Sequence, residues 1–352
     1  MTPATRNDAV SPAPAAKPLA PLIVILGPTA SGKSALAVSL AERFGGEVLA
    51  CDSTQVYRGF DIGTGKPTAE ERRGIPHHLI DLVEPSALFT AGEYRRQALA
   101  ALASLEARGR LPILTAGTGL YLRALLDGLA DAPERSDALR ERLQARAARK
   151  GLGHLHRMLR RLDPAAAARI SANDGQKLIR ALEICLLAGK PVTDVHRAGR
   201  VRLEGYAVVK VGLNPPRPAL YERIGRRVRG MLERGWLAEV SALVGSGSPR
   251  AAKPFEFIGY RELRDHLERV HPPGPARPPE RGAPSSKMPP AKVVDAIAQA
   301  TRRYAKRQLT WFRKESGVLW LSGFGDDADV LAAAVVAIET EIPSLAAGPE
   351  LC

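Results

Sequence analysis

Apolar positions along the chain follow two patterns. Leu22, Ile23, Val24, Ile25 and Leu26 form an unbroken run that stops at Gly27. A short run without polar alternation predicts a strand covered on both faces, as in a parallel sheet. Residues 35–44 then place Leu36, Leu40 and Phe44 at helical spacing, with Gly45 and Gly46 as the stop. Residues 47–50 read as a second short strand ending near Asp52. An amphipathic helix over 91–107 is closed by Gly109, and a third strand over 111–115 runs into Ala116, Gly117 and Thr118. Strand, helix, strand, helix, strand is the order of a doubly wound α/β core.

Past Gly119 the pattern changes. Residues 120–190 hold helical patterns almost alone, rich in Arg and Ala, and strand-like sequence returns at 206–213 and 318–321. Further helices are predicted over 217–234, 236–244 and 260–270, with one long basic helix over 291–315. The Pro-dense segment 271–290 reads as an irregular loop. The expected layout is a leader (1–20), a first part of the core (21–125), an inserted helical domain (126–200), a return to the core with C-terminal helices (201–345) and a tail (346–352).

Composition narrows the function. The chain has 352 residues, 45% apolar and 25% charged, which is ordinary for a globular protein. Its net charge of +14 fits a polyanionic partner, nucleic acid or a membrane surface. A chain rich in Ala, Arg, Pro and Gly also gains such a surplus from compositional bias alone. The three cysteines, Cys51, Cys185 and Cys352, are far apart and form no CxxC, against a zinc site or a disulfide framework. No stretch approaches the roughly 18 apolar residues of a membrane span, and the N-terminus has no signal-peptide pattern. A cytoplasmic protein without membrane contact is the expectation.

The sharpest local signal is Gly27-Pro28-Thr29-Ala30-Ser31-Gly32-Lys33-Ser34, a full match to G-x-x-x-x-G-K-[ST]. A buried strand precedes it and a helix follows, the context in which backbone N–H groups and a helix N-terminus cradle phosphates. Lys33 supplies a point charge and Ser34 a hydroxyl for Mg²⁺. The fold class is therefore α/β, a P-loop NTPase-like parallel sheet with flanking helices and an inserted helical domain.

P-loop enzymes that split nucleotides usually carry an acidic residue at a strand end to hold the Mg²⁺ shell. Here the strand over 111–115 ends in Ala116-Gly117-Thr118, and the carboxylate, Asp52, follows the second strand instead. The crevice outside the strand ends would hold a diphosphate cradle, one carboxylate and hydroxyls. Such a set suits a transfer in which diphosphate leaves and Asp52 takes a proton from a weak nucleophile. A kinase with its base at Asp52 has the same layout, so spacing alone leaves both open.

Beyond the phosphate loop, the stretches 52–67 (DSTQVYRGFDIGTGKP), 116–121 (AGTGLY), 176–183 (QKLIRALE), 259–262 (GYRE) and 301–313 (TRRYAKRQLTWFR) occur in one order. Together they resemble the tRNA dimethylallyltransferase (tRNA isopentenyltransferase) family from about residue 22 to 321. The resemblance implies attack by the exocyclic N6 of the adenosine 3′ to the anticodon on dimethylallyl diphosphate, with Mg²⁺ and release of diphosphate. It makes Asp52 the base, places Thr118 beside the amine and the bridging oxygen, and gives Lys33 and the 29–34 cradle to the diphosphate. Ser53, Thr54, Gln55, Arg140, Gln176, Lys177, Leu178, Ile179 and Arg180 match segments that hold the tRNA anticodon stem-loop, as do Asp52 and Thr118. Two positions depart from the family pattern: Ala116 stands where Gly is usual, and Gly65 where Ala is usual.

Some residues carry two readings. Thr118 also suits the cap of a helix starting at Gly119. Arg123, a helical turn and a little more beyond Thr118, reaches either the diphosphate or solvent. His77 and His78 lack metal-ligand spacing and read as structural. Trp311 and Phe312 are expected to pack on the core, and some of Arg302, Arg303, Lys306 and Arg307 to meet phosphates. A monomer is expected. The alternatives are a P-loop small-molecule kinase, a free-adenylate isopentenyltransferase and a non-enzymatic RNA binder. The intact Lys33 and Ser34 speak against the last.

Overall fold

The structure, a computed structural model, describes residues 19–197, 199–246, 249, 252–270 and 288–346. Within them six strands form one sheet: β1 (Ala20–Leu26), β2 (Gly46–Cys51), β3 (His77–His78), β4 (Leu111–Ala116), β5 (Tyr206–Leu213) and β6 (Val318–Leu321). The order is β3-β2-β4-β1-β5-β6, and every pairing is parallel. β1 begins at Ala20, inside the expected leader; most of that leader, the bulk of the Pro-rich loop and nearly all of the tail lie outside the described residues.

Side chains alternate across a strand, so β1 feeds two cores. Leu22, Val24 and Leu26 pack with Tyr94, Leu102, Leu122 and Ile297, from the Ala91–Ala107, Gly119–Leu126 and Ala291–Phe312 helices. Ile23 and Ile25 pack with Leu36, Leu40, Val330 and Ile338, from the Lys33–Phe44 and Ala328–Glu341 helices. Because both faces are covered, polar residues have no place between 22 and 26, which is why that run is unbroken. Each such burial is worth about 1.5–3 kcal/mol relative to exposure. The pattern reading assigns no element to 328–341, where the structure has a helix. The long basic helix stops at Phe312, three residues short of its expected end.

The segment between Gly119–Leu126 and β5 contains no strand among its described residues and has an apolar cluster of its own, around Leu155, Leu159, Leu178, Leu182 and Val195. A bridge between Ala130 and Arg200 closes its neck. Buried Glu183 anchors it from within. Its carboxylate accepts the Ser136 N–H, both ends of the Arg140 guanidinium and one arm of Arg180. Burial works against the charge, yet the hydrogen bonds from Arg140, Arg180 and Ser136 outweigh it and hold Glu183 down to about 2. No helix among the described residues is long and apolar enough to cross a membrane.

Candidate active site

Parallel register brings three turns together. Leu26 and Cys51 both pair with Ala116, so β1, β2 and β4 end at one level. The phosphate loop leaves β1, Asp52 leaves β2, and Gly117-Thr118 leaves β4. The N–H groups of Gly117 and Thr118 both donate to the Cys51 carbonyl at 3.0 Å, locking the last two turns side by side. Ala116 lies in regular strand outside the left-handed region, so its methyl in place of glycine costs no backbone strain.

A cavity of about 990 Å³ opens at this edge, lined among others by Thr29–Ser34, Asp52–Gln55, Gly117, Arg227 and Gln308. On the phosphate loop, Gly32 takes φ +90°, and a Cβ there would meet the Gly325 backbone at 2.6 Å. Only glycine fits at that crossing. Gly27 and Pro28 do not line the cavity; their carbonyls accept hydrogen bonds from the Lys33 Nζ at 3.0 and 2.9 Å. Burial lowers the Lys33 pKa to about 8, opposed by the attraction of Asp52.

Asp52 is half-buried and is gripped on one side. Its Oδ1 accepts both the N–H and the hydroxyl of Thr54, at 2.8 and 2.7 Å. Its Oδ2 accepts no hydrogen bond among the described residues and lies against the Cα of Gly117, where a built Cβ would come within 2.4 Å. One oxygen is thus fixed and the other left free to take a proton. Thr118 stands at the N-cap of its helix without making a capping bond. Its hydroxyl accepts the Ser53 N–H at 2.9 Å and donates to the Ser53 hydroxyl at 3.2 Å. Thr118 therefore steadies the Asp52–Gln55 turn and is not itself on the cavity wall. Gln55 donates to the Thr64 and Gly65 carbonyls. Gly65, at φ +66°, has the Arg227 guanidinium directly where a side chain would stand.

The remaining sequence-expected residues divide. Arg123 is not at the cavity: it stacks on Trp311 at 4.9 Å and faces Asp127 and Glu315. Its proximity to Thr118 in sequence is spent on the outer face of the helix. Phe312 is fully buried, but Trp311 is 37% exposed, a correction to the expectation that both pack inward. Arg140 and Arg180 are committed to Glu183, and Leu178 and Ile179 are buried in the insertion's own core, so of the 176–180 stretch Gln176 and Lys177 are the more open side chains. Arg307 lines the cavity, whereas Arg302 stacks on Tyr221. His77 donates from Nδ1 to the Ile75 carbonyl and His78 meets buried Glu47, both structural contacts.

The sequence reading missed the Arg217–Glu233 helix as a wall of the site. Arg223 and Arg227, four apart and so on one helical face, line the cavity with Arg226 and Arg234. Arg227 is half-buried, its pKa is lowered by desolvation, and no carboxylate forms an ion pair with it among the described residues. That spacing was the available signal. Gln308 and Tyr304, which reach the site from the Ala291–Phe312 helix, had none beyond their place in the 301–313 stretch.

Among the described residues no three His, Cys, Asp or Glu stand together as a metal cage. Ser34 offers one exposed hydroxyl to the cavity. This donor set fits Mg²⁺ held mostly by a ligand's phosphate oxygens and water.

Comparison with known proteins points to one family. The family model described as IPP transferase matches residues 55–315. The tRNA dimethylallyltransferase of Koribacter versatilis is 49% identical over 319 residues, 91% of this chain and 98% of the relative. That of Solibacter usitatus is 50% identical over 313 residues, 88% and 95% of the two chains. Among solved structures, the full-length tRNA isopentenylpyrophosphate transferase of Bacillus halodurans superposes with a TM-score of 0.63 at 37% identity, covering 92% of this chain and 98% of that one. A eukaryotic dimethylallyltransferase acting on tRNA gives 0.75 at 26% identity, covering 94% and 80%.

Proposed function

The chain belongs to the IPP transferase family, and from that premise we propose that it moves a dimethylallyl group from dimethylallyl diphosphate to N6 of the adenosine 3′ to the anticodon in tRNA. The observation that carries the mechanism is the half-held carboxylate of Asp52, facing the phosphate loop across one cavity.

The N6 lone pair forms a bond to the allylic carbon. The bond from that carbon to the bridging oxygen breaks, and its electron pair leaves with diphosphate. The amine proton passes to Asp52 Oδ2. An exocyclic adenine amine is barely basic, so a base placed where the proton is lost contributes about 10²–10⁴-fold. Lys33 and the inward N–H groups of the phosphate loop meet the charge that develops on the leaving group. Arg227, half-buried at the cavity and without an ion-pair partner among the described residues, is placed to add to that charge stabilisation. Ser34 would help to hold Mg²⁺, which would supply further neutralisation of leaving-group charge. Thr118 keeps the Asp52 turn in register through Ser53.

The adenosine must leave its stack to reach such a cavity, which costs a few kcal/mol. Arg226, Arg234 and Arg307 at the cavity supply cationic contacts for the RNA backbone that offset this.

The test is nucleoside mass spectrometry of tRNA after incubation with purified protein, dimethylallyl diphosphate and Mg²⁺. The expected product carries one isopentenyl group, with diphosphate released in equal amount. Asp52→Ala should lose at least 10²-fold in kcat and keep its tRNA affinity. A phosphorylated product, or full turnover on AMP with none on tRNA, would overturn the proposal.

A further inference from the structure

Gln308 is one of few polar side chains that are buried, at 6% exposure. An amide buried without partners would be costly, and here both ends are used. Its Oε1 accepts the Thr29 N–H at 2.8 Å, and its Nε2 donates to the Gly117 carbonyl at 2.8 Å. Thr29 and Gly117 belong to the two halves of the site, the phosphate loop and the turn that carries Thr118.

The contacts fall on two particular peptide units. The Thr29 N–H shares a rigid, planar unit with the Pro28 carbonyl, and that carbonyl holds the Lys33 Nζ at 2.9 Å. The Gly117 carbonyl shares its unit with the Thr118 N–H, which is fixed to Cys51. One side chain therefore orients the peptide beside Lys33 and the peptide beside Thr118. Tyr304, one helical turn earlier, donates to the same Gly117 carbonyl at 3.3 Å. Burial and the nearby charge of Asp52 raise the Tyr304 pKa, so the phenol stays a donor.

We propose that Gln308 is a positioning residue that sets the distance and angle between the diphosphate cradle and the acceptor turn, so that the leaving group and the base act on one substrate pair. The inference rests on the transferase reading and adds to it a coupling element outside both halves. A packed hydrocarbon at 308 would preserve the helix while freeing the two peptides. A misplacement of about 1 Å between reacting groups costs about 10²-fold in rate.

The experiment compares wild type, Gln308→Met and Gln308→Glu. Gln308→Met should lose about 10- to 100-fold in kcat, with KM for both substrates within about threefold. Gln308→Glu gives a signature that a role in folding alone would not produce. Its neutral acid can accept from Thr29 and donate to Gly117, whereas its carboxylate has no proton to give. The kcat ratio of Gln308→Glu to wild type should therefore be highest at the acid end and fall as pH rises. The titratable and charged groups sharing that cavity, among them Lys33, Asp52, Glu71, Arg227, Tyr304 and Arg307, are present in all three proteins and cancel in the ratio. Wild-type kcat in Gln308→Met, or a flat ratio in Gln308→Glu, would overturn the inference while leaving the transferase reading intact. A wild-type protein that makes no isopentenylated tRNA would overturn both.

Discussion

Gly117→Ala adds one methyl group at a place where the backbone tolerates it and the chemistry does not. Gly117 lies outside the left-handed region, so alanine meets no φ penalty. The added Cβ would sit 2.4 Å from Asp52 Oδ2, whereas ordinary contact begins near 3.4 Å, so the oxygen must retreat by about 1 Å. Asp52 Oδ1 is tied to Thr54, so the carboxylate rotates about that anchor and Oδ2 swings out of line. A displacement of that size costs about 10²-fold in rate, or about 2.7 kcal/mol of barrier. Steady-state kinetics on tRNA should show the loss in kcat, with KM for dimethylallyl diphosphate little changed because the phosphate loop is untouched. Thermal unfolding should stay within a few degrees of wild type. If Gly117→Ala turns over like wild type, Asp52 Oδ2 is not where the amine proton goes.

Two further outcomes follow from ionisation. Lys33 is lowered to about 8 by burial, so it is charged below that pH and loses its proton above it. Accordingly kcat/KM for the prenyl diphosphate should fall about tenfold per unit above pH 8, and kcat should fall less because bound diphosphate retains the proton; a flat kcat/KM from pH 7 to about 9.5 would refute this role. Glu183 is depressed to about 2 from an ordinary value near 4.5, so its stabilisation is full above the unfolded value and is lost as pH falls toward 2. The shift bounds the contribution at about 3 kcal/mol, less in practice because Arg140 and Arg180 are 23% and 36% exposed. Glu183→Gln should lower denaturant stability at pH 7 and flatten the acid limb between about pH 4.5 and 2. An acid limb as steep as in wild type would show that the ion pair is not what fails.

Features carried by contiguous residues were readable from sequence. β1, the phosphate loop and the Asp52–Gln55 turn depend on neighbours in the chain, and the pattern of each is complete within a dozen residues. What lay beyond reach was set by distant partners. Arg123, Arg140 and Arg180 are identical in sequence to arginines that meet phosphates, and only the fold reveals Glu315 beside the first and Glu183 between the others. Trp311 and Phe312 are adjacent, yet successive helical residues point about 100° apart, so one is buried and the other lies under Arg123. β3 is two residues held against β2 by backbone pairing, too short to leave a periodic trace. Arg227 could have been inferred from its four-residue spacing to Arg223, but which face of that helix meets the phosphate loop is decided by packing.

The geometry of the site follows from strand register more than from any loop. Leu26, Ala116 and Cys51 stand abreast, so the cradle, the Gly117 turn and the base begin at the same height. A slip of β2 by one residue would carry Asp52 about 3.3 Å along the strand and turn its side chain to the other face. Such a slip would also move Leu49 and Cys51 out of the core they share with Leu22, Val24 and Leu26. The packing of both sheet faces that fixes the strand register therefore also fixes the reach from Asp52 to the phosphate loop. Gln308 then trims what register leaves free, the orientation of the two peptide units at the strand ends. Packing specifies the coarse distance and one buried amide the fine one, which is why substitutions at Gly117 and Gln308 should act on kcat while the sheet beneath them stays folded.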